Sequence, residues 1–107
     1  MPIELNRDNY EREVKGADKP MLVDFWGPRC GPCLALMPSV EALEKEYEGR
    51  IQVAKLNAAE NRMLCARLRV MGLPTFILYK DGSEVRRWSG EKITVREIRE
   101  GVEDLVG

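Results

Sequence analysis

Apolar residues fall along this chain in two kinds of run. PMLVDFW (20–26), IQVAKLN (51–57) and PTFILY (74–79) are short and rich in β-branched and aromatic residues, and they read as strands. IEL near the start is a shorter strand candidate. In the longer stretches, apolar residues recur three and four apart, the spacing of one helix face. Tyr10 and Val14 define a helix that Asn6 can cap and that ends near Gly16. Val40, Leu43 and Tyr47 define a second, reaching about Glu48 with Gly49 to end it, and Pro38 inside should kink it. ENRMLCARLRV (60–70) places Leu64, Cys65 and Leu68 on one stripe. A last helix opens with TVRE, a capping box of Thr94 and Glu97, and should bury Val95, Ile98, Val102 and Leu105. KDGS is a tight turn joining PTFILY to an antiparallel partner, EVRRWS (84–89).

The predicted order is β-α-β-α-β-α-β-β-α. Alternation in the first part predicts parallel strands joined by right-handed crossovers, and the final hairpin adds an antiparallel edge. The product is an α/β sandwich with helices on both sheet faces. In PMLVDFW, Met21, Val23 and Phe25 share one face, and Leu22, Asp24 and Trp26 share the other. A strand apolar on both faces belongs inside a covered sheet, so Asp24 stands out.

Composition adds few constraints. The 107 residues, 44% hydrophobic and 33% charged, suit one globular domain over 1–107. Lys and Arg number 17 against 18 Asp and Glu, with no basic tract, which argues against nucleic acid as a partner. No apolar run approaches a membrane span, and MPIELNRDNY lacks the apolar core of a secretion signal, so a cytoplasmic protein is expected. Nothing demands an oligomer, and a monomer is expected.

Three cysteines and no histidine narrow the chemistry sharply. Sites built on histidine are excluded, and one Cys-x-x-Cys knuckle falls short of the usual four zinc ligands. Cys30 and Cys33 lie where a strand gives way to a helix. The unpaired N–H groups and dipole at a helix start favour thiolate over thiol at Cys30, and Arg29 adds a fixed cation. A free thiol with a pKa of about 8.5 is only about 3% ionised at pH 7, so such help matters. Cys33, one turn on, should face inward on the same side and can displace a partner bound to Cys30. Pro32 suits and stiffens the first turn, and Gly31 keeps the approach open. Two buried cysteines together by chance, or a static disulfide, remain alternatives.

Asp24, six residues before Cys30, should carry a raised pKa because burial penalises its anion. Lying beneath Cys33, it could accept that thiol's proton. The plainer alternative is a carboxyl satisfied by a hydrogen bond or by Lys55, which shares the face of Ile51 and Val53. In MGLPTF (71–76) the residues alone predict a trans Leu73–Pro74 bond. Cys65 reads as a buried, inert thiol, with a regulatory thiol as the sharper alternative. Trp26 and Trp88 read as packing residues.

VDFW (23–26), CGPC (30–33), AKLN (54–57), GLPT (72–75), KDG (80–82) and Gly90 occur together in an order and spacing that resembles the thioredoxin family over nearly the whole chain. That resemblance implies a three-layer sandwich of a five-stranded mixed sheet and four helices, and a protein-disulfide reductase activity. It implies Cys30 as exposed nucleophile, Cys33 as resolving thiol, Asp24 as buried proton acceptor with Lys55 beside it, and a cis Pro74 packed against the pair. A substrate peptide would pair with the backbone at Leu73 and Thr75, bordered by Trp26, Pro32, Gly72 and Gly90, with Arg29, Gly31 and Met71 completing the contact set. The redox group would be the Cys30–Cys33 disulfide itself, with no bound cofactor. The partners would be oxidised proteins and a flavin reductase drawing on NADPH.

Four positions depart from the family pattern. Arg29 replaces a usual tryptophan, and Leu34 a usual basic residue. Ala59 stands where an acid is common, and Met71 where a polar or basic residue often precedes Gly-Ile-Pro. Arg29 and Leu34 suggest a partner-specific reductase with another electron donor, and apolar residues near Pro74 leave room for a binding module that uses the fold without the thiols.

Overall fold

The computed structural model describes residues 2–107. Its elements, in chain order, are β1 (Ile3–Leu5), α1 (Tyr10–Gly16), β2 (Met21–Trp26), α2 (Gly31–Glu46), β3 (Gln52–Asn57), a 3-10 turn (Ala58–Glu60), α3 (Arg62–Arg67), β4 (Thr75–Lys80), β5 (Ser83–Ser89) and α4 (Val95–Val106). The five strands form one mixed sheet in the order β1-β3-β2-β4-β5. Strands β1, β3 and β2 run parallel, while β4 is antiparallel to both β2 and β5. This is the α/β architecture expected from the alternating pattern.

The central strand explains the layering. Met21, Val23 and Phe25 join Tyr10 and Val14 of α1 and Leu64 and Cys65 of α3 in one core. Leu22, on the opposite face, joins Val40 and Leu43 of α2 and Ile98 and Val102 of α4 in the other. Each such fully buried large side chain contributes about 1.5–3 kcal/mol, so β2 anchors both layers at once. The buried Tyr10 and Tyr79 hydroxyls bond each other within the first core. At the margin of the second, the Tyr47 hydroxyl donates to Glu103 and joins α2 to α4.

Several boundaries differ from the pattern. The first helix starts at Tyr10, because Asn6 instead organises the preceding turn, its Oδ1 accepting from the N–H groups of Asp8 (2.8 Å) and Asn9 (3.1 Å). Helix α2 runs through Pro38 and stops at Glu46, with Tyr47 as its C-cap and Gly49 at φ +84° in the turn beyond. The third helix is only Arg62–Arg67, since Asn61 starts it late and Arg69 at φ +59° leaves the helical path. The predicted box on α4 is present: Thr94 Oγ1 accepts from Glu97 N at 3.3 Å, and Glu97 Oε2 from Thr94 N at 3.4 Å. Leu105 is half-buried at the helix end, short of the full burial expected.

Candidate active site

Strand β2 delivers the chain to the sheet's end at Trp26, and a tight turn then sets up α2. The N–H of Cys30 donates to Gly27 O at 3.1 Å. A Cβ on Gly27 would sit 3.2 Å from Leu73 Cδ1, so glycine lets this turn press against the loop before β4. Cys30 is the N-cap of α2, in extended conformation, and its Sγ accepts from Cys33 N at 3.2 Å. Pro32 falls in the first turn, where its missing N–H leaves no helical bond unmade. Any negative charge on the Cys30 sulfur therefore meets a backbone N–H and the positive end of a 16-residue helix.

The two sulfurs are joined in a disulfide, with Cα atoms 5.2 Å apart. Cys30 is half-buried, whereas Cys33 is only 2% exposed. The outer sulfur can meet another protein, and the inner one can be reached only through it. Arg29, Gly31 and Pro32 are exposed around them.

A second loop faces this turn. The Leu73–Pro74 bond is cis, which corrects the trans geometry that the residues alone predict. The loop is tied at both ends. Thr75 Oγ1 donates to Gly72 O at 2.6 Å and lies 3.2 Å from Ser89 Oγ, while Gly90 N donates to Pro74 O at 3.0 Å. Pro74 and Thr75 are buried, Leu73 is half-buried, and Gly72 and Met71 are exposed. Between the cysteine turn and the turn after β3, with Leu73 at its edge, lies a groove of about 670 Å³, lined by Gly27, Pro28, Arg29, Cys30, Ala58, Ala59, Arg62 and Leu73.

Asp24 occupies a different hollow. It is 2% exposed and faces α2, sharing a cavity of about 270 Å³ with Met37, Glu41, Glu44 and Lys55. Asp24 and Lys55 are register partners on β2 and β3. Burial pushes the Asp24 carboxyl up to about 7, and the Lys55 charge pulls back only partly. The Lys55 ammonium lies 5.0 Å from the centroid of the Trp26 ring and 4.0 Å from Met37 Sδ. The cysteines do not line this cavity. Trp26 is half-buried, and its indole N–H is buried with no hydrogen-bond partner among the described residues.

The structure therefore brings Cys30, Arg29 and Leu73 together, places Gly90 against Pro74, and sets Asp24 and Lys55 side by side on neighbouring strands in a separate hollow under α2. Gly90 itself opens onto a neighbouring hollow with Trp88 and Ile93. Met71, 89% exposed, lines none of these hollows. Cys65 is buried in the opposite core, and burial pushes its thiol up.

Three contributors escaped the sequence reading. Arg62 lines the groove; an arginine opening a helix, where the dipole disfavours cations, was the available signal. Arg87 donates to the carbonyls of Leu68 and Arg69, both at 3.0 Å, and so holds the approach to Gly72. Buried Asn61 accepts from Arg7 N at 3.0 Å and donates to Asn57 O at 2.9 Å, fixing the turn that carries Ala59. Neither of the last two carries a local sequence signal.

Among the described residues, no group of three or more His, Cys, Asp or Glu side chains could hold a metal ion, and no helix is long and apolar enough to cross a membrane. The family model described as Thioredoxin matches residues 1–104. A thioredoxin of Acetoanaerobium sticklandii is 36% identical over 103 residues, covering 96% of this chain and 98% of that protein. A thioredoxin of Peptoclostridium acidaminophilum is 36% identical, covering 98% and 96%, and one of Streptomyces clavuligerus is 39% identical, covering 88% and 87%.

Proposed function

This chain belongs to the thioredoxin family, and from that premise we propose how its own residues divide the work of protein-disulfide reduction. It is a thiol–disulfide oxidoreductase working by dithiol–disulfide exchange, with the cysteine pair as its redox group. In the reduced protein, Cys30 thiolate attacks one sulfur of a substrate disulfide. A mixed disulfide forms, and the substrate's other sulfur leaves as thiolate. Cys33 then gives its proton to Asp24 and attacks Cys30 Sγ. The mixed disulfide breaks, the substrate leaves as a dithiol, and Cys30 and Cys33 are left joined. Two electrons pass from the pair to the substrate.

Asp24 suits the proton-accepting role because its carboxyl, raised to about 7, can both take and return a proton near neutrality. It lies on the face covered by α2, the helix that carries Cys33. Lys55 tempers the rise. Leu73 and Thr75 offer backbone groups to a substrate strand, Pro74 seats it against the pair, and Trp26, Gly31, Pro32, Met71, Gly72 and Gly90 border it. The protein acts as a monomeric single domain over 1–107 in the cytoplasm and is recharged by a flavin reductase that uses NADPH.

The observation that carries this reading is the half-buried Cys30 sulfur at the helix start, bonded to a buried Cys33. Insulin reduction driven by dithiothreitol tests it. Wild-type protein should accelerate precipitation, Cys30→Ser should not, and equal rates for the two would refute the reading. A second reading, a partner-specific reductase, draws on exposed Arg29, Leu34 and Met71, which give the site rim an unusual surface. Slow recharging by a standard thioredoxin reductase, with fast recharging by another donor, would favour it.

A further inference from the structure

We propose that the groove beside Cys30 selects oxidised protein substrates that carry an acidic side chain next to the reacting cysteine; this rests on the disulfide-reductase reading above. The groove brings two guanidinium-bearing residues to one place from separate elements, Arg29 from the turn after β2 and Arg62 from the start of α3. Both are exposed. Neither forms an ion pair with a described residue, whereas Arg12, Lys15, Arg86, Arg87 and Arg99 all do. The remaining lining is uncharged: Gly27, Pro28, Ala58, Ala59 and Leu73, together with Cys30 itself. Glu60, in the adjoining turn, does not line it.

The whole chain carries a net charge of −1, so the cationic lining of this groove is not imposed by a basic chain. Its position decides the consequence. Cys30 lies in the same lining, so a substrate held by its sulfur has a side chain next to the reacting cysteine within reach of the groove. A carboxylate at such a position meets planar guanidinium forks that can take it in two parallel hydrogen bonds. A lysine there meets two like charges. Solvent screens exposed pairs, so the benefit is a modest preference, expressed largely in association rate and sensitive to salt.

Three peptide disulfides, identical but for Glu, Gln or Lys beside the reacting cysteine, test this against the full-length protein recycled by dithiothreitol. We expect kcat/KM in the order Glu, Gln, Lys, spanning about tenfold at low salt and shrinking several-fold at about 300 mM salt. The Glu-to-Lys ratio should fall to about twofold or less in Arg29→Gln/Arg62→Gln, two exposed positions whose change leaves both cores intact. It should survive in Arg12→Gln, which removes the same kind of charge from α1. Equal rates for the three peptides, or a ratio that persists in the double variant, would overturn the proposal while leaving the reductase reading in place. Reduction of none of the peptides would remove the reductase reading, and this proposal with it.

Discussion

The two faces of the sheet are built from the same strands yet differ in the polar groups they bury. On the α1/α3 face, the hydroxyls of Tyr10 and Tyr79 are bonded together, and burial raises both phenols, Tyr10 well above the ordinary range. On the α2/α4 face, burial of Asp24 outweighs the pull of the Lys55 charge, and the Trp26 indole N–H has no partner among the described residues. Alternation along β2 is enough to send Val23 and Phe25 to one side and Asp24 to the other. One face stores stability, and the other gives some of it up to bury a titratable group beneath α2. Burying a titratable group costs stability, and strongly shifted groups cluster at functional sites more than in plain packing.

The sharpest way to break this contrast is Asp24→Asn. Below its ordinary pKa of 3.8, the carboxyl is protonated in both the folded and the unfolded chain. Between there and about 7, the folded chain keeps a proton that the unfolded chain gives up, so stability falls as pH rises. At roughly 1.36 kcal/mol per pH unit of displacement, the loss approaches about 4 kcal/mol at pH 8. Asparagine escapes it. Urea unfolding should show the variant gaining on the wild type across this window, with slower resolution of mixed disulfides as the functional penalty. A gain that is flat with pH would mean that this face already compensates the charge.

Smaller effects sharpen the comparison. Gly101 is buried on α4, and a Cβ there would fall 2.4 Å from Trp88 Cζ2. Gly101→Ala should therefore lower stability by about 1–3 kcal/mol in thermal unfolding, despite the better helix propensity of alanine. Tyr79→Phe strands the Tyr10 hydroxyl on the opposite face and should remove about 1–2 kcal/mol while leaving reduction rates unchanged. Smallest of all, Cys65→Ala should change stability by about 1 kcal/mol and leave both turnover and peroxide response as they were. A response lost with Cys65 would give the quiet face a chemistry of its own.

Much of this was legible in the sequence because it is written in short-range terms. Strand parity separated the residues of the two cores, CGPC announced a thiol pair at a strand-to-helix junction, and an aspartate in an apolar run announced a buried acid. Long-range placement was not legible. Nothing local says that β3 lies between β1 and β2, or that β4 enters the sheet beside β2 with reversed direction. The cis bond at Pro74 lay beyond the residues themselves and came only with the family resemblance. Arg87 and Asn61 act through partners distant in the chain, and no spacing rule marks them, whereas Arg62 was marked only by standing at a helix start. Helix ends drifted where side chains chose other work, as when Asn6 shaped a turn.

The ties on the segment from Leu68 to Thr75 have a kinetic corollary. Arg87 grips its carbonyls at 68 and 69, Ser89 meets Thr75, and Gly90 holds Pro74, so β5 and the residue that follows it clasp the loop against the cysteine turn. That strand is the sheet's outermost on its side. The loop's amide hydrogens should consequently exchange in step with fraying of this margin, and the lifetime of the margin sets how long the loop stays seated beside the cysteine turn.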